Sequence, residues 1–165
     1  MKKPLCLITI MLSVAIGAFA QTKPRESLHG LHGVFVYVAP LDKTLLTGGL
    51  TAKQVQGEVE SALLRAGITV FSEPRPEDGS SNLAFVIDIV KHPQGPIIYS
   101  VEISLLQEVR LARLPGGDSF PAQTWSEEAI GLTTASHAEV IMEPVKAKVE
   151  DFIRDYRAAN EGAKQ

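Results

Sequence analysis

His29 and His32 stand in the stretch "SLHGLHGVFVYV", each followed by glycine, at the mouth of an apolar run. Imidazole is a common metal ligand, so the pair raises the question of a metal site. Zinc takes three or four protein ligands as a rule, and the rest would have to come from His92, His137 or a carboxylate. Nothing in the spacing demands that. On an extended chain, residues three apart point to opposite faces, so the two rings could converge only on a turn. The glycines read as flexibility at a strand entry. His29 and His32 are the metal candidates, and no cofactor is expected.

The other candidates are single residues. Asp88 interrupts an apolar strand pattern between Val86 and Val90. It is either a carboxyl group with a shifted pKa in a pocket or part of a solvated face, and polar Glu102 and Ser104 in the next strand favour the face. Ser136 and His137 are adjacent, which points their side chains apart on a helix, and there is no G-x-S-x-G elbow. Glu127 and Glu128, or Glu102 and Glu108, could supply paired carboxylates, but all sit in strands that read as solvated. Gly48 and Gly49 lack the surroundings of a phosphate loop. Trp125, the only tryptophan, lies in "QTWSEE". It is either a residue at the edge of the core or an exposed anchor, and it is the candidate binding residue. No catalytic constellation emerges.

The elements that position these residues follow from periodicity. "VFVYVAPL" is a continuous apolar run, as in a strand covered on both faces or paired centrally. "DKTLLTGG" reads as a loop. In "LTAKQVQGEVESALLRAGITVF", Thr51 and Gln54 have capping-box spacing, and Val55, Val59, Ala62, Leu63 and Ala66 form a helical stripe. Gly67 suits the left-handed position that closes the helix, and Ile68 to Phe71 is a short strand. "SEPRPEDGSS" is an exposed loop. "NLAFVIDIVKH" and "IIYSVEISLLQEVRL" are strands, the second alternating between apolar and polar residues, as in an antiparallel sheet with one wet face. "FPAQTWSEEAIGL" returns as a hairpin strand. Near the C-terminus, Ser136 and Glu139 again match a capping box. Ile141, Val145, Val149, Phe152, Ile153 and Tyr156 form a second helical stripe, with Pro144 expected to kink it or mark its first turn. The expected fold is α+β, a two-layer sandwich of β-α-β-β-β-α order. Its mixed, mostly antiparallel sheet carries both helices on one face.

The first residues carry a different signal. Lys2 and Lys3 precede an apolar run from Leu5 to Ala15, and Ala18-Phe19-Ala20 fits a signal-peptidase site before Gln21. The run is too short for a spanning helix, so no stable membrane span is expected after cleavage. The expected layout is a signal peptide at 1–20, a flexible leader at 21–32, one domain at 33–160 and a frayed tail at 161–165. Cys6 leaves with the signal, which excludes disulfides and thiolate chemistry from the mature chain. Without Lys2 and Lys3 the chain has 14 basic and 19 acidic residues, a formal charge of −5. A mildly acidic chain with no basic cluster is a poor nucleic-acid binder. The short basic start and the lack of glycosylation sequons fit a periplasmic or secreted bacterial protein.

The stretches "GLTAKQVQGEVESALLRAGITV", "TWSEEAIG" and "VEDFIRDYRAAN" together resemble an uncharacterised group of small exported bacterial proteins. The element order is also similar to small envelope domains, such as the N-terminal domain of the Tol-system periplasmic protein and the lipopolysaccharide-assembly accessory subunit. That is an analogy of fold alone. The function expected from sequence is a non-catalytic accessory module of the bacterial envelope that binds another envelope protein. The alternative is a periplasmic domain that binds a small molecule or lipid between the helices and the sheet. A histidine-based metal protein or a hydrolase ranks behind both.

Overall fold

The computed structural model describes residues 25–75, 81–91, 93, 95–114, 116–133 and 138–160. The residues read as a signal peptide, His92, the Ser136–His137 pair and the C-terminal tail lie outside the described residues.

The alternating strands pair into one five-stranded sheet of order β2-β1-β3-β4-β5. β1 is Val34–Val38, β2 Val70–Phe71, β3 Ser81–Lys91, β4 Ile97–Val109 and β5 Phe120–Thr133. β1 runs parallel to β2 and β3, while β3, β4 and β5 form an antiparallel meander. Register gathers the apolar series onto one face. Val36 lies opposite Leu83, which faces Leu105, which faces Trp125. Phe85 lies opposite Ile103, and Ile87 opposite Val101. Because side chains alternate along a strand, this register commits the whole apolar set to one side. β1 is paired along both edges, yet only Val34, Val36 and Val38 are buried, and Tyr37 is 49% exposed on the other face.

The helices α2 (Ala52–Arg65) and α3 (Ala138–Asn160) cover that apolar face. Val55, Val59 and Leu63 of α2 join Ile141, Val145, Val149 and Phe152 of α3 in the same buried cluster as the sheet residues. The fold is the expected α+β sandwich. The caps of α2 match local expectation. Thr51 Oγ1 accepts from the Gln54 amide at 3.2 Å, and Gln54 Oε1 accepts from the Thr51 amide at 2.9 Å. At the other end Gly67 has φ +79°, and the Ile68 amide donates to the Leu63 carbonyl at 3.0 Å. That is a Schellman closure with an apolar residue tucked behind it. α3 runs unbroken through Pro144.

Three expectations change. "DKTLLTGG" contains a short helix, α1 (Lys43–Thr47), whose Asp42 side chain accepts from the Thr44 amide at 2.7 Å and whose Leu45 is buried. The stretch 25–32 is not a loose leader. Arg25–Leu28 is a 3-10 turn, and Leu28 is fully buried. Asn160 holds this stretch by donating from Nδ2 to the Leu28 carbonyl and accepting from the Gly30 amide, both at 2.9 Å. The Tyr156 hydroxyl donates to the Leu31 carbonyl at 3.2 Å.

The third change concerns Gly33, which is not there for flexibility. A Cβ at this position would lie 2.6 Å from the Phe71 ring and 2.7 Å from the Thr69 carbonyl oxygen. That carbonyl accepts from the Val34 amide at 3.0 Å, so it is fixed in place. Gly33 lets β2 approach β1. Replacing it with alanine should cost about 2 kcal/mol, the range of overpacking changes in tight sites. Chemical denaturation of Gly33→Ala checks this, and Gly57→Ala in α2 serves as a control at a site with open space.

Candidate functional site

Trp125 is 1% exposed, so the reading of this residue as an exposed binding anchor is overturned. A register shift at Leu105/Leu106 leaves Thr124 as the extra residue of a β-bulge, and such bulges re-aim neighbouring side chains. Trp125 points into the core and meets Phe152 edge-on, with ring centroids 5.1 Å apart and planes at 74°. Its indole Nε1 donates to Asp155 Oδ2 at 3.2 Å. Asp155 is completely buried, and its Oδ1 forms ion pairs with Arg25 Nε at 3.1 Å and Arg154 Nε at 3.4 Å. The Ser27 hydroxyl donates to the Thr124 carbonyl at 3.1 Å. One carboxylate thus binds the N-terminal turn, α3 and β5 together. Sequence reasoning missed it. The available signal was a charged residue one position from the apolar stripe of α3, near the only tryptophan.

A second ionic group continues along α3. Glu127 lies opposite Ile103, so its side chain is on the helix side of the sheet, where it meets Lys148 Nζ at 3.4 Å. Lys148 also donates to Asp151 Oδ2 at 2.7 Å, and Arg154 pairs with Asp151. The hydrogen bond to Asp151 raises the Lys148 pKa above its ordinary 10.5, against the opposing effect of burial. For Asp151, burial favours the neutral acid, but hydrogen bonds from Lys148 and Arg154 outweigh it and hold the carboxyl below its ordinary 3.8. The depressed Asp151 stabilises the fold above the unfolded value, and this is lost as pH falls through the lower folded value. The raised Lys148 contributes fully below 10.5 and loses its effect as pH rises through its higher folded value. Lys148→Met should therefore cost about 1 kcal/mol at neutral pH, and the difference from wild type should vanish in strong acid. Urea titrations at a series of pH values check this.

The remaining candidates are dispersed. His29 and His32 are both exposed, on either side of Gly30, whose φ of +71° makes a turn there. Among the described residues no group of three His, Cys, Asp or Glu side chains could hold a metal ion. Asp88 is exposed on the outer face of the sheet. Glu127 and Glu128 point to opposite faces and do not pair, whereas Glu128 lies directly across from Glu102 on the outer face. An open groove of 530 Å³ lies between α2 and α3, lined by Leu50, Lys53, Glu58, Glu139, Met142 and Lys146.

The sheet itself offers two further features. β5 pairs with β4 on one side, and no described strand pairs its other edge. On the outer face, at the end of the meander, Val90, Ile98, Ile130 and Leu132 are 44–71% exposed.

No family model matches the chain, and no curated protein matches it by sequence. Among solved structures, the chain is similar to a 2.35 Å crystal structure of a minor lipoprotein from Acinetobacter baumannii. The identity is 6%, the match covers 79% of this chain and 92% of that one, and the TM-score is 0.28. A likeness at that score fixes neither fold nor role. No helix among the described residues is long and apolar enough to cross a membrane.

Proposed function

We propose that the protein is a non-catalytic accessory module of the bacterial envelope that takes a protein partner at the free edge of β5. The observation that carries this reading is the length of that edge. β5 has 14 residues, against two in β2 at the opposite edge of the sheet. An edge strand presents a row of unpaired amides and carbonyls, the template for strand addition by another chain. Natural proteins shorten or cover such edges. Here the N-terminal turn reaches β5 through the Ser27 hydroxyl on the Thr124 carbonyl, toward the start of the strand. Beyond it, residues 126–132 continue as strand with Ser126, Glu128, Ile130 and Leu132 exposed. Export rests on the signal-like N-terminal residues, which lie outside the described part of the chain.

The reading is tested by site-directed cross-linking in an envelope fraction. Cysteine is introduced by Ser126→Cys on β5 and, as a control, by Ser61→Cys on α2, both at exposed positions. A defined adduct from the β5 position, absent from the α2 position, supports the reading. Equal labelling of both positions, or none at β5 in a protein shown to be exported, counts against it.

A further inference from the structure

The outer face of the β3-β4-β5 meander has a second peculiarity that strand addition does not use. Val90, Ile98 and Leu132 stand directly opposite one another across three strands. Ile130 lies two residues along β5 on the same face. All four are large, apolar and exposed. Neighbouring strands are about 4.8 Å apart, so the row is about 10 Å wide, close to the diameter of a helix. The other face of the same sheet is already covered by α2 and α3, and a segment on this face would complete a three-layer sandwich.

The charges beside the row define the occupant. Glu102 on β4 is directly opposite Glu128 on β5, and Asp88 on β3 is opposite Ser100, one row nearer the apolar side chains. Like charges directly opposite on paired strands destabilise a sheet. None of the ion pairs between described residues includes Asp88, Glu102 or Glu128. The fold thus tolerates repulsion on an open face, beside four exposed apolar side chains, where a lysine would have relieved it. Breaches of a local rule without compensation concentrate at functional sites.

We infer that this face docks a cationic amphipathic segment of another protein, with apolar side chains on the Val90–Ile98–Leu132 row and Lys or Arg over Glu102 and Glu128. Charge complementarity excludes the two obvious rivals. A second copy laid face to face would bring the same carboxylates together. An anionic lipid surface would be repelled by them. The inference is independent of strand addition at the β5 edge, because it uses side chains on a face rather than backbone groups at an edge.

The test uses a fluorescein-labelled amphipathic Lys/Leu peptide, its Glu/Leu counterpart, and anionic phosphatidylglycerol vesicles. The Lys/Leu peptide should bind, more weakly as salt rises, and the Glu/Leu peptide and the vesicles should not. The double variant Glu102→Gln/Glu128→Gln and the double variant Ile130→Ser/Leu132→Ser should each lose about tenfold in affinity. Glu139→Gln/Glu143→Gln in the α2–α3 groove carries the same charge change and should lose nothing. Glu128→Lys should raise the thermal midpoint while abolishing binding, which a surface without a function would not do. Equal losses for the sheet and groove variants would reduce the effect to net charge and overturn the proposal. So would no binding at all, binding to the vesicles, or self-association abolished by Ile130→Ser/Leu132→Ser.

Discussion

Replacing Trp125 with alanine is expected to cost about 3–5 kcal/mol, the range for truncating a buried aromatic side chain. Domains of this size are stable by about 5–15 kcal/mol, so the variant loses a large share of its margin. The physical reason is that β5 is the outermost strand and Trp125 is its fully buried link to the helix layer. Removing the ring leaves Phe152 without its edge-on partner and Asp155 Oδ2 without the indole donor. Trp125→Phe keeps an aromatic ring there but loses the N–H. It should cost about 1–3 kcal/mol, because a buried acceptor is left unsatisfied. Both are read by chemical denaturation followed in the far-UV circular dichroism, since the variants contain no tryptophan to report by fluorescence. A cost below about 1 kcal/mol for the alanine variant would mean that β5 is not anchored through this residue.

Asp155→Ala is the second large effect, expected at about 2–3 kcal/mol. The carboxylate has no exposed surface, accepts from the tryptophan indole and pairs with two arginines. Arg25 and Arg154 are about half exposed and recover much of their hydration once released, which keeps the cost below that of a fully buried pair. The indole does not recover in this way, and a buried donor left unsatisfied costs about 1–3 kcal/mol. Asp155→Asn keeps an acceptor for the indole and removes the charge, so it should lose less. The local consequence is specific. Arg25–Leu28 is held by Asp155, Thr124 and Asn160. Loosening it should expose the bond after Arg25 to trypsin, and cleavage there should be faster in Asp155→Ala than in Asp155→Asn or wild type. Unchanged cleavage, with stability within about 0.5 kcal/mol of wild type, would show that the buried carboxylate does not hold the turn.

These two residues mark the boundary of what could be read in advance. The ends of α2 were legible because caps are local: Thr51, Gln54, Gly67 and Ile68 act within one turn of their own backbone. β3 and β4 were legible because alternation over ten or more residues leaves little choice of face. α1 was missed because five residues are too few to show a helical period, although Asp42 stood at its cap. The turn at 25–28 was read as loose because its neighbours there are polar. Its order comes from Thr124, Asp155 and Asn160, about a hundred or more positions away. Trp125 was identified as distinctive without its direction being known, since a bulge one residue earlier sets that direction.

The sequence by itself determined the five strands and the two long helices, their order, and the dry side of β3, β4 and both long helices, because those properties depend on neighbours within a few residues. The tertiary structure alone decided which edge of the sheet no described strand pairs, that Asp155 joins three elements, and that Glu102 meets Glu128 beside an exposed apolar row. Strand order and register come from contacts between residues far apart along the chain. No local pattern records whether an apolar side chain will meet a partner across the sheet or be left facing water.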